Sequence, residues 1–295
     1  MPRQVLVDQW WAKMLVYGAP GTGKTTLIGT AAGSPALSPG LVLDFEGGLM
    51  SIRSKVQHVS VDDLVEELAN GEQQPTDTLT AVRIVEWDDV TYLLESLTQT
   101  CPFRFVAVDS LTELNYLNLT TIVGAAEAAD ARRSGGKIEL QDYGQSSTAM
   151  RAMIRSIRDL PAHILFTALA AKAPNPRTRV DQDVPSLVGK LTAEACGLVD
   201  LVGYATIDDA PSAGTDIEAE YVVAFAPGTR WVAKDRTEGG RLNGDIVNAT
   251  LPTIIELLDT TPPASEPPSD STPPATPAPP TTPTPSKTKT KKVAS

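Results

Sequence analysis

The sequence predicts an α/β fold: a mainly parallel, twisted sheet with helices on both faces and an antiparallel extension at one edge. Three observations carry that reading. Short apolar runs alternate with helix-length segments along most of the chain, and strands that alternate with helices pair in parallel. The first apolar run empties into a glycine-rich turn, Gly18-Ala19-Pro20-Gly21-Thr22-Gly23-Lys24-Thr25-Thr26, followed by a helical segment. Beyond residue 198 the rhythm changes to strands in succession, which adds antiparallel pairing.

Residues 13–17 read as a buried strand entering the turn, and residues 25–32 as the helix leaving it. Residues 41–45 and 81–85 are the second and third strands, the latter followed by a helix over 88–100. Residues 103–108 are the fourth. Met150, Met153, Ile154 and Ile157 lie at helical spacing and predict a helix over 143–160. Residues 163–168 are the fifth strand; 198–207, 220–226 and 230–233 are the late strands, and a last helix covers about 244–258. The folded part, residues 1–259, is one domain in this reading. From residue 260 to 295 the composition turns to Pro, Thr, Ser and Ala, with eleven of the 24 prolines by residue 286. Such a segment buries too little apolar surface to offset its ordering entropy and is expected to stay disordered.

The formal net charge is −11, and the tail carries four lysines against Glu266 and Asp270, so the remainder stands at −13. A core that acidic lacks the basic face of a general nucleic-acid binder, and any such contact must come from local basic clusters. Cys101 and Cys196 make no disulfide framework, and His58 and His163 are isolated; all four read as structural. With no signal peptide and no apolar run of spanning length, the expectation is a soluble protein of the cytoplasm.

The turn is the P-loop pattern, with Gly18, Gly23, Lys24 and Thr25 at the required positions. Glycines let successive N–H groups point at phosphate oxygens, and the following helix adds the positive end of its dipole. Gly18, Ala19, Pro20, Gly21, Thr22, Gly23, Lys24, Thr25 and Thr26 are therefore expected to hold ATP, with Lys24 on the β/γ-phosphates and Thr25 on Mg2+. Residues 105–109 form a hydrophobic strand ending in Asp109, the Walker B pattern, which delivers a second Mg2+ ligand. Asp44 and Glu46 lie two apart at the end of the second strand, which puts them on one side. Glu46, beside Gly47-Gly48, is the candidate general base for the attacking water. Thr167 is the nearest polar sensor candidate on the fifth strand. Lys234 and Arg236, also two apart, would project together and stabilise charge on a transferring phosphoryl group.

This series, Gly-x-x-x-x-Gly-Lys-Thr, Asp44-x-Glu46, a Walker B strand ending at Asp109 and Lys234-x-Arg236, resembles the RecA-like ATPase core. More narrowly it resembles the RecA-like ATPases of bacteriophages linked to single-strand annealing and recombination, the Sak-type proteins. The resemblance implies Mg2+-dependent ATP hydrolysis with Glu46 as catalytic base. It implies a homo-oligomeric ring or filament in which Lys234 and Arg236 reach the neighbour's nucleotide. It also implies two mobile loops that bind single-stranded DNA, one within residues 124–142 with Arg132, Arg133 and Lys137, the other within 170–189 with Lys172, Arg177 and Arg179. Both segments are locally basic in an acidic core, as phosphate neutralisation requires. A single-strand-binding protein is a further partner in that setting. The chain departs from the RecA pattern: neither loop carries a clear aromatic for base stacking, and the fifth strand has no sensor amide at its end. Annealing or loading assistance is therefore implied rather than strand exchange. The acidic core keeps a second class open, a nucleotide-dependent regulatory or assembly ATPase that acts on a protein partner without DNA.

Overall fold

The computed structural model describes residues 10–130, 132–133, 135–208, 220–242 and 244–260; the tail beyond Thr260 lies outside them. Parallel strands β1 (Lys13–Gly18), β2 (Gly40–Asp44), β3 (Val56–Val59), β4 (Leu79–Arg83), β5 (Phe105–Asp109), β6 (His163–Pro174) and β8 (Leu201–Asp208) form the body of one sheet. Strand β7 (Asp181–Pro185) pairs back on β6, and β9 (Glu220–Ala224), β10 (Lys234–Asp235) and β11 (Asp245–Val247) supply the antiparallel edge. Among the described residues the order is β11-β9-β8-β1-β6-β5-β2-β4-β3. This is the α/β arrangement that the sequence predicts, a mainly parallel sheet with helices on both faces and an antiparallel extension at one edge.

The period of two along β1 divides the core. Leu15 and Tyr17 face α2 (Val61–Asn70), α3 (Trp87–Gln99), α4 (Leu111–Ala129), α5 (Leu140–Arg158) and α6 (Leu191–Leu198). Met14 and Val16 face the opposite layer, where α1 (Lys24–Gly29) and α7 (Leu251–Asp259) pack. Both layers are fully buried at these positions, which is why the strand reads as a continuous apolar run rather than an alternating one.

Several elements differ from the sequence reading. Residues 111–129 are helical, although Gly124 had opened the first expected loop. The helix nucleates because Ser110 caps it, accepting from Glu113 N at 3.4 Å, and only the connection to α5 remains irregular. Within 170–189, where a loop was expected, β6 runs on to Pro174 and returns as β7, a hairpin closed by Asn175 N donating to Val180 O at 2.9 Å. Strand β10 lies at Lys234–Asp235 instead of 230–233, because residues 230–232 bridge to Asp183 of β7 instead. The last helix starts at Leu251, after β11 has used Asp245–Val247.

Candidate nucleotide site and basic hairpin

In parallel strands the carboxyl ends share one edge, and ligands of open α/β sheets bind there. Gly18 of β1, Asp44 of β2 and Asp109 of β5 all end on it, with Asp44 directly opposite Asp109 in register. Gly21 and Gly23 adopt φ of +81° and +79°, the left-handed region that lets the loop turn back into α1. A Cβ at Gly18 would collide with the backbone oxygen of Ala205. The loop is thus a cradle that only glycine fits at these points, with the amides of residues 23–26 leading into the helix.

Lys24 Nζ donates to Gly18 O at 3.1 Å and Ala19 O at 2.8 Å, so the ammonium lies over the loop. Burial lowers its pKa, and the carboxylates of Asp109 and Glu46 oppose that shift. Thr25 Oγ1 donates to Asp109 Oδ2 at 2.8 Å. Thr167 Oγ1, fully buried on β6, donates to Asp109 Oδ1 at 2.5 Å. Burial raises the Asp109 pKa; the two threonine bonds lower it, and Glu46 and Asp44 raise it further. A hydroxyl and a carboxylate oxygen this close are hard donors of the kind Mg2+ takes, so Thr25 and Asp109 fit that ion. When bound, Mg2+ would neutralise phosphate charge and orient the phosphates.

Asp44 and Glu46 take different partners. The strand ends at Asp44, and Gly47, at φ +75°, turns the chain. Asp44 Oδ1 accepts from Gly47 N at 2.7 Å and pairs with Arg83 at 3.5 Å, so its charge is already engaged. Glu46 Oε1 accepts from Ser110 Oγ at 2.6 Å, which leaves Oε2 without a hydrogen bond among the described residues. A carboxylate held by one oxygen can orient water with the other. Ser110 was missed in the sequence. Its signal was the Ser-x-x-Glu capping box of Ser110 and Glu113.

Lys234 opens β10 and Arg236 follows it; β10 pairs with Leu201–Val202 at the amino end of β8, the edge opposite the P-loop. Lys234 Nζ turns inward and donates to Cys196 O at 2.6 Å and to Val199 O, capping the last carbonyls of α6. Arg236 lines a surface cavity with Trp11, Lys13 and Asp200. Alternation had placed both cations on one side, but a helix end with unpaired carbonyls claims the first.

The expected DNA-binding cations separate in the same way. Arg133 forms a two-point pair with Asp142 of α5, Nη1 to Oδ1 at 3.2 Å, with Glu139 at 3.9 Å. The hydrogen bond from Arg133 holds the Asp142 carboxyl below its usual range. Arg133 therefore staples the α4–α5 connection and is not available to phosphate. Lys172 pairs with Asp183 at 2.8 Å. Arg132, Lys137, Arg177 and Arg179 are exposed and form no ion pair among the described residues. Arg177 and Arg179 sit at the hairpin tip, where Asn175 Oδ1 accepts from Arg177 N at 2.9 Å and Arg179 has φ +63°.

The sequence profile of the AAA domain family matches residues 11–237. The chain belongs to that family. The AAA domain match spans every site residue above, and it places the chain among the nucleotide-dependent ATPases. Similar solved structures include the flagellar accessory protein FlaH from Methanocaldococcus jannaschii, at 12% identity and TM-score 0.40, covering 80% of this chain and 85% of that one. The ATPase domain of G40P stands at 13% identity and TM-score 0.42, with 79% of each chain covered. The RadB recombinase stands at 16% identity and TM-score 0.37, covering 72% of this chain and 81% of that one. None of the curated proteins matches in sequence. No helix among the described residues of this AAA domain protein is long and apolar enough to cross a membrane.

Proposed function

We propose that this AAA domain protein hydrolyses ATP with Mg2+ and binds single-stranded DNA on its basic hairpin, assisting phage recombination, annealing or repair as a homo-oligomer. The observation that carries the chemistry is the convergence of Lys24, Thr25, Asp109 and the Ser110–Glu46 pair on one sheet edge. In this reading the loop from Gly18 to Thr26 cradles the phosphates and Lys24 supplies a point charge to them. Thr25 and Asp109 hold the metal, Thr167 fixes the Asp109 carboxylate, and Glu46 takes a proton from water.

The DNA reading is supported by Arg177 and Arg179 at the tip of a hairpin that extends past the P-loop edge, and by Arg132 and Lys137 on the α4–α5 connection. Exposed cations on projecting segments suit phosphate neutralisation. Fluorescence anisotropy of a labelled single strand, with and without ATP and across salt, tests it. Binding that strengthens with ATP and weakens steeply with salt is expected. No binding at any salt would leave the second reading, a regulatory ATPase acting on a protein partner, which the acidic charge of the chain favours. Lys234 engages backbone carbonyls of its own chain, so a contact with a neighbour's nucleotide rests on Arg236 alone.

A further inference from the structure

Glu46 sits on an exposed segment, residues 46–48, strung between the buried side chains of Phe45 and Leu49. Two of its three residues are glycines, which leave the backbone freer than any other residue does. The sheet does not fix it, because the ladder ends where Phe45 N donates to Asp109 O at 2.8 Å. We propose, resting on the reading of Glu46 as general base, that Asp44 is a positioning residue for it. The Asp44 carboxylate closes the turn that delivers Glu46 to Ser110, and it acts by geometry rather than by charge.

The bond from Gly47 N to Asp44 Oδ1, at 2.7 Å, is the only hydrogen bond that the backbone N–H groups of residues 46–48 donate among the described residues. It holds the peptide on the far side of Glu46, as the Phe45 bond holds the near side. Asp44 is itself well anchored. It is buried, and its backbone oxygen accepts from Ile84 N at 2.9 Å. A short side-chain carboxylate reaches back to nearby backbone in this way, which is why Asp and Asn favour turns. Gly47, at φ +75°, supplies the left-handed corner that the closure needs.

Charge is the weaker candidate. Arg83 approaches Asp44 Oδ1 only to 3.5 Å, and its side chain is 43% exposed; ion pairs so placed contribute little. The Gly47 bond is shorter and is made to a buried carboxylate, the stronger class of hydrogen bond. Arg83 also covers the turn, since a Cβ on Gly47 would come within 3.3 Å of its guanidinium carbon.

Glu46 thus has two fixed points, its backbone at Asp44 and its Oε1 at Ser110 Oγ, 2.6 Å away. Ser110 is buried and caps α4, so the second point is firm. Without the first, the Gly47-Gly48 turn is free to carry Glu46 away from the serine. A displacement of about 1 Å at a reacting group can cost ~10²-fold in rate.

Two substitutions separate the turn from the charge. Asp44→Asn keeps an oxygen acceptor and loses the charge; Asp44→Glu keeps the charge and moves the acceptor one methylene away from Gly47 N. The assay is Mg2+-dependent ATP hydrolysis by the full chain, with calorimetry for ATP affinity and thermal melts for folding. Asp44→Glu should lower kcat by ~10²-fold, with KM and ATP affinity near wild type, and Asp44→Asn should recover ~10-fold or more of that loss. In a Glu46→Gln background Asp44→Glu should lower kcat no further, because the group being positioned is gone. Should Asp44→Glu fail to fold, Asp44→Ala, which removes the acceptor without adding volume, carries the same expectations. Equal losses in the two variants, the reverse order, an additive loss in the Glu46→Gln background, or wild-type turnover without the acceptor would each overturn the proposal. A Glu46→Gln chain that hydrolyses ATP at the wild-type rate would instead remove the reading of Glu46 beneath it.

Discussion

Thr167→Val replaces a buried hydroxyl by a methyl of similar volume and removes the 2.5 Å bond to Asp109 Oδ1. A hydrogen bond to a charged group contributes ~1.5–3 kcal/mol, against ~0.5–1.5 kcal/mol for a neutral one. Wherever the Asp109 carboxylate is ionised, the variant should lose the larger amount. For a domain of this size each kcal/mol moves Tm by about 2–4 °C, so the loss is roughly 3–12 °C. The sign of the pH dependence follows from the direction of the shift. Burial holds the Asp109 pKa above its unfolded value, so folding is favoured below that pKa and loses that contribution as pH rises through it. Thr167 opposes this shift, and without it the folded-state pKa climbs further. The penalty of the variant should therefore shrink by about half in acid, where the carboxyl is neutral. The acid limb of Mg2+-dependent ATP hydrolysis should move to higher pH in the same variant. Thermal melts at pH 5 and pH 8 and a pH–rate profile check both. An equal Tm loss at both pH values, with an unmoved acid limb, would show that the hydroxyl merely fills space.

Lys24→Ala should abolish productive nucleotide binding, read by calorimetry, because the charge over the loop is removed. Glu46→Gln should keep ATP affinity and lower the hydrolysis rate by ~10²-fold or more; turnover at the wild-type rate removes Glu46 from the chemistry. Lys234→Met should lower Tm by about 2–4 °C or more, since two helix-end carbonyls lose their donor, while turnover per folded molecule stays level; a selective fall in turnover would return Lys234 to the catalytic set. Replacing Arg132, Arg177 and Arg179 by Ala should reduce the salt slope of single-strand binding by ~0.7 for each phosphate no longer neutralised, while Arg133→Ala should register as reduced stability of the α4–α5 connection.

What the sequence revealed here were features that a local pattern determines. Strand β1 and the loop after it are fixed by buried periodicity and by glycine at positive φ, both visible residue by residue. Asp109 was legible because a buried strand can place a carboxylate only at its end. The errors share one physical cause: partners that the local pattern does not show. Alternation gave Lys234 a direction, but the α6 carbonyls 35 and 38 residues away turned it inward. Local basicity put Arg133 on a phosphate path, but Asp142 takes it. Pro174 and Pro176 suggested a loop, yet proline sits without cost at the end of an edge strand, and β6–β7 closes around them.

The hairpin joins the nucleotide site at its root rather than at its tip. Thr112, in the first turn of α4, accepts from Leu169 N at 3.0 Å and donates to Ser186 O at 3.3 Å, so one side chain grips both strands. Ser186 N closes the root on Leu169 O at 2.7 Å. Two residues before Thr112 stands Ser110, which holds Glu46; two residues before Leu169 stands Thr167, which holds Asp109. The second strand is fixed independently, since Asp183 accepts from Tyr17 Oη at 2.9 Å and from Val232 N at 3.1 Å through its backbone oxygen. A ladder anchored on both strands has little room to absorb a shift at the Asp109–Ser110 turn within itself.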